Sequence, residues 1–131
     1  MLFSVNDKFE HEFTVTEKVY ATFIATFNDC NPLHIDDAFA QAKGFNSKVM
    51  HGNILGGFLS YFIGECLPTK DVIIHSQQLS FTNAVYLNNT LRFVATVIEV
   101  YESVSTVVFK FSFTNQEGKV ACKGKIQIGI I

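Results

Sequence analysis

A chain of 131 residues with 48% hydrophobic side chains, 14 Phe and no Trp is long enough to bury a core without staples and short enough to form one domain, residues 1–131. Its net charge of −2 and pI near 6.0 exclude the basic footprint that a phosphate backbone requires, so no nucleic acid is expected as a partner. Cys30, Cys66 and Cys122 stand far apart with no C-x-x-C spacing. This excludes a closed disulfide framework and points to a reducing, cytoplasmic setting.

The chain opens on Met1-Leu-Phe-Ser-Val and runs at once into Asn6-Asp7-Lys8, so no secretory leader is expected. Residues 8 to 15 alternate, with Phe9, His11 and Phe13 on one face, which predicts a half-buried strand. A helix follows, capped either by Thr14 in a box with Glu17 or by Thr16, with Val19, Tyr20, Phe23, Ile24 and Phe27 on one face. After an enforced turn over residues 28 to 34, Asp36 is placed to cap a short helix through Ala42, ended by Gly44. Residues 45 to 50 read as loop.

From about His51 to Leu67, the residues Ile54, Leu55, Phe58, Leu59, Phe62, Ile63 and Cys66 form a wide apolar stripe, while glycines and Ser60 keep the other faces thin. His51, Asn53 and Glu65 interrupt the run, which falls short of the roughly 18 to 20 apolar residues of a membrane span. No membrane association is expected, and the segment is read as a buried core helix. Four alternating strands follow, at about 71 to 82, 89 to 101, 104 to 115 and 119 to 130, with a hairpin-like turn at Asn88-Asn89 and another at Gln116-Glu117-Gly118. Helices gathered ahead of four antiparallel strands predict an α+β domain, a curved sheet wrapped around the long central helix. Its open edges predict a homodimer.

Chemistry concentrates in Asn28-Asp29-Cys30-Asn31-Pro32-Leu33-His34. Pro32 fixes its own φ, and Asn31 before it is pushed toward extended backbone, so Asp29 and His34 are held across a rigid turn. A carboxylate and an imidazole so held are raw material for acid/base catalysis. Without the intervening Asn31-Pro32, Asp29 would read first as a turn cap and His34 as a satisfied core histidine. Cys30 is not read as a nucleophile. No metal is expected either, since His51 and His75 lack ligand-like spacing to His34, Asp36 and Asp37. Lys43, Lys48 and Lys70 read as solvated charges rather than phosphate ligands.

The segment Asp29-Cys-Asn31-Pro32-Leu-His34, followed by Asp36, Ala38, Phe39 and Ala40, resembles the hydratase motif of the MaoC-like hot-dog dehydratases, and within them of the R-specific enoyl-CoA hydratases. Met50-His51-Gly52 is similar to the family's hydrophobic-His-Gly triplet, and Gln77-Gln78-Leu79-Ser80-Phe81 to its later strand segment. Phe27-Asn28 and Asn53 depart from residues common in the family, Ser-Gly and Met, which bears on pocket shape more than on chemistry. The resemblance covers nearly the whole chain. It implies a single hot-dog domain acting as a hydro-lyase, with (R)-specific hydration of a trans-2-enoyl-CoA, or the reverse dehydration, and no cofactor beyond the coenzyme A thioester substrate.

On this reading Asp29 and His34 grip a water and move its proton, and the N–H of Gly52 at the start of the central helix stabilises the thioester oxygen. Asn31 supports the loop, His51 packs and caps, and Ser60 is either a hydrogen-bonding support for Asp29 or a thin-face packing residue. Phe58 and Phe81 are candidates to line an acyl tunnel. Three alternatives remain open: a dehydratase of a specialised acyl-CoA or acyl-ACP pathway, a non-catalytic acyl-thioester-binding subunit, and a hot-dog thioesterase.

Overall fold

The structure, a computed structural model, describes residues 2–131. Five antiparallel strands, β1 (Lys8–Thr14), β2 (Val72–Phe81), β3 (Thr90–Tyr101), β4 (Thr106–Thr114) and β5 (Val120–Ile130), form one sheet in the order β1-β3-β4-β5-β2. Alternation puts Phe93, Phe109, Phe113, Ile126 and Ile128 on the inner face, each nearly inaccessible to solvent, and leaves Lys110 and Lys125 paired on the outer one. The register slips near Ile98 in β3 and near His75 in β2. Such bulges bend a strand and increase its twist, which helps the sheet curl.

The hollow of that curl is filled by α4 (Asn53–Tyr61) and a π-helical turn over Phe62–Cys66. Ile54, Leu55, Leu59, Phe62 and Ile63 are buried there, and the ring of Phe62 lies 4.8 Å from Phe93 and 5.7 Å from Phe109. The long helix expected over 51 to 67 is thus an α-helix that changes winding for its last turn. Leu67, extended at φ −81° and ψ 158°, ends it, as a residue before proline must. No helix among the described residues is long and apolar enough to cross a membrane.

Three further helices precede α4: α1 (Glu17–Phe27), α2 (Pro32–Ile35) and α3 (Asp37–Ala42). Thr16, not Thr14, caps α1, its Oγ1 accepting from the N–H of Val19 at 3.2 Å. The Thr14 hydroxyl is engaged instead with that of Thr90 across the strands, at 3.1 Å. Asp36 caps α3 as expected, accepting from the N–H of Phe39.

Two expectations change. The turn over residues 28 to 34 contains a helix, α2, because proline is tolerated at a first helical position, where its missing N–H would have no partner anyway. The turn at Asn88, left-handed with φ 67°, is no hairpin. β2 pairs with β5 whereas β3 sits between β1 and β4, so residues 82–89 are a crossover.

Candidate active site

The loop between α1 and α2 is built almost wholly from side chains bonding to nearby backbone. Asn28 ends α1 in the left-handed region at φ 60°, its N–H donating to Ile24 O at 2.8 Å. An Asp29 carboxylate oxygen accepts from the N–H of Asn31 at 3.2 Å, and the Asn31 side-chain oxygen accepts from the N–H of Leu33 at 3.0 Å, capping α2. Tertiary bonds then clamp α2 from two sides. The Tyr20 hydroxyl donates to His34 O at 2.6 Å, and the N–H of Val49 donates to Leu33 O at 2.9 Å.

These bonds bring Asp29 Oδ2 within 3.9 Å of His34 Nε2, with the carboxylate half exposed and the imidazole mostly covered. His34 Nδ1 lies 2.7 Å from the carbonyl of Val49. A carbonyl only accepts, so Nδ1 carries the hydrogen and, in the neutral ring, Nε2 presents a lone pair toward Asp29. The pair therefore offers two acceptors with a gap between them. One water can donate a hydrogen to each, which turns its own lone pairs outward.

Facing them is the N-terminus of α4. Among the described residues no hydrogen bond takes up the N–H of Gly52 or of Asn53, as expected for the first turn of a helix. Both residues line the cavity of about 530 Å³ that Asp29, His34 and Phe81 also line. A Cβ built on Gly52 would stand 3.0 Å from the Phe81 ring, so a larger residue there would push that ring back by a few tenths of an ångström from the helix start. Unsatisfied donors with a helix dipole behind them can hold an oxygen on which negative charge develops.

His51 lies behind the pair, 3% exposed. Its Nε2 donates to the Asp29 carbonyl at 2.8 Å, and its ring stacks on His34 with centroids 4.1 Å apart. Donor atoms of Asp29, His34 and His51 thus come within 4.8 Å of one another, a convergence that sequence spacing did not disclose. A second, more open groove of about 880 Å³ runs between α1 and α4 and shares Asp29 with the first; Phe27 and Phe58 line it.

The remaining candidates lie elsewhere. Ser60 is exposed on α4, and no hydrogen bond among the described residues joins it to Asp29, whose carboxylate bonds to the loop's own backbone. Cys30 is an exposed free thiol. Lys70 is paired with Glu65 at 2.9 Å, while Lys43 and Lys48 lie over the rings of Phe39 and Tyr20.

Comparison with known proteins bears on the family and the fold. The family described as MaoC like domain matches residues 4–116. The chain is 29% identical over 115 residues to the (R)-specific enoyl-CoA hydratase of Rhodospirillum rubrum, covering 88% of this chain and 79% of that one. It is 31% identical over 105 residues to the (R)-specific enoyl-CoA hydratase of Aeromonas caviae, covering 80% and 78%. The solved structure of the (R)-hydratase from A. caviae involved in PHA biosynthesis superposes with a TM-score of 0.90 at 27% identity, over 98% of each chain. With its five-stranded sheet wrapped on a helix and its match across most of the sequence, this chain belongs to the MaoC-like dehydratases, hydro-lyases of hot-dog fold.

Proposed function

We propose that the protein adds water to a trans-2-enoyl thioester to give the (R)-3-hydroxyacyl thioester, or runs the reverse dehydration. The observation that carries this reading is the hydrogen bond from His34 Nδ1 to Val49 O, which leaves two acceptors across a gap that one water can bridge. The water oxygen attacks Cβ of the enoyl group while the Asp29–His34 pair takes one of its protons. Electron density moves onto the thioester oxygen, held by the N–H groups of Gly52 and Asn53, and the pair then returns a proton to Cα. Each group ends as it began, so the cycle needs no cofactor. Hydroxyl and proton leave one site and reach one face of the double bond, so the addition is syn.

Coenzyme A is the proposed carrier, since relatives of similar length bear that name. The three unpaired thiols support a cytoplasmic setting. The free edge of β2, where Ile73 and Phe81 are about half exposed, supports a homodimer; the other edge, β1, carries Lys8, Glu10 and Glu12, charges that discourage strand addition. Light scattering on the purified protein reads the oligomer directly.

The deciding experiment follows loss of the enoyl-thioester ultraviolet band over a series of acyl chain lengths on coenzyme A and on an acyl carrier protein, with chiral analysis of the product. Hydration to the (R)-alcohol is expected. Binding without turnover would make the chain a non-catalytic subunit, and release of free thiol would make it a thioesterase.

A further inference from the structure

We propose that His51 is a positioning residue that registers the Asp29–His34 loop against the start of α4; this rests on the hydratase reading above. One residue joins all three parts of the site. Its Nε2–H holds the Asp29 carbonyl at 2.8 Å, its ring stacks on His34 at 4.1 Å with 27° between planes, and its own backbone continues into Gly52. Phe23, with its ring 4.7 Å away, backs it.

The imidazole is a costly choice for packing alone. With Nε2–H given to Asp29, Nδ1 holds a lone pair, and that atom is buried with no hydrogen-bond partner among the described residues. A buried acceptor left unsatisfied is destabilising. Phenylalanine or leucine would fill the same space without that penalty, so what the histidine contributes is its donor. Among the described residues, the Asp29 carbonyl is the backbone group of that residue tied across the fold. Without the tie, the clamps on α2 remain, but Asp29 itself is held only by its bond to the N–H of Asn31, and a displacement of about 1 Å at a reacting group can lower a rate about 100-fold.

The test compares His51→Phe, which keeps an aromatic ring beside His34 but loses the donor, with His51→Gln, whose amide restores one. For His51→Phe we expect kcat on an enoyl-CoA to fall about 10- to 100-fold with KM changed less than about threefold. Amide exchange at Asn31 and His34 should accelerate about 10-fold while the strands β3 and β4 hold their protection. His51→Gln should recover most of both effects. Should the Phe variant fail to fold, His51→Leu repeats the donor-free arm. Retention of wild-type kcat and loop protection by a donor-free variant overturns the proposal, as does equal loss in the Phe and Gln variants. If the wild type hydrates no enoyl thioester, the hydratase reading fails, and the exchange arm still decides whether His51 positions the loop.

Discussion

The phenylalanine-filled hollow of the sheet and the Asp29–His34 loop above it are held by different forces and should fail in different ways. In the hollow, Phe62, Phe93, Phe109 and Phe113 are fully buried and meet edge to face or tilted, as Phe62 and Phe109 do at 88°. That region is held by apolar burial and ring geometry. The loop buries little: Asp29 is half exposed and Asn31 exposed. It is held by hydrogen bonds that the Asp29 and Asn31 side chains accept from loop N–H groups and that the Tyr20 hydroxyl and the Val49 N–H donate to α2 carbonyls. Stability should therefore reside in the first region and chemistry in the second.

The largest effects should come from the loop and be confined to rate. Asp29→Asn and His34→Ala are each expected to lower kcat by about 10²- to 10⁴-fold in the ultraviolet hydration assay, with melting temperatures by calorimetry close to wild type. Near-wild-type rates in both variants would sink the assigned chemistry. A large loss of stability with turnover retained would erase the division between the regions.

Phe109→Ala should do the reverse. Its ring meets Phe3, Phe9 and Phe62, so truncation is expected to cost about 3 to 5 kcal/mol in urea unfolding, while kcat per folded molecule stays within about twofold. Asn31→Ala sits between the two cases. Losing the α2 cap should cost about 1 kcal/mol, and the same urea series, run beside the hydration assay, shows whether the rate falls with it.

The last effect concerns the thiols and is felt only in alkali. Burial pushes Cys122 up to about 11 from its ordinary 9.0, with a backbone hydrogen bond at Ser80 opposing the shift. The folded state thus holds this proton more tightly than the unfolded chain. The associated stability is complete below about pH 9 and is lost as pH rises through about 11. Unfolding midpoints measured across that window should fall, and Cys122→Ala should flatten the slope. A thiol reagent at neutral pH should label exposed Cys30 first and reach Cys122 only on unfolding.

Much of the frame was legible because its signals are local. Alternation over Val107 to Phe113 marks a strand with one inner face, and the apolar stripe from Ile54 to Ile63 marks the helix that fills the hollow. Asp36 and Thr16 cap helices because their side chains reach only a few residues ahead. What local signals missed was non-local or finely balanced. The stretch at Pro32 reads equally well as a turn or as a helix start, and Asn88-Asn89 looks like a hairpin until the sheet order is known. Ser60 lies two turns from Gly52 on the same helix, yet helical rotation carries it to the exposed side.

The nearness of Asp29 and His34 was suggested in the sequence, because the turn expected at Pro32 folds their five-residue separation back on itself. So was the placement of Gly52 at the start of a helix. Only the tertiary structure decided the rest. The carbonyl of Val49, 15 residues from His34, selects which imidazole nitrogen faces the carboxylate. His51, 22 residues from Asp29, ties the loop to the helix, and the ring of Phe81 closes over Gly52. Those contacts join segments far apart in the chain, and their geometry exists only once the sheet has curled around α4.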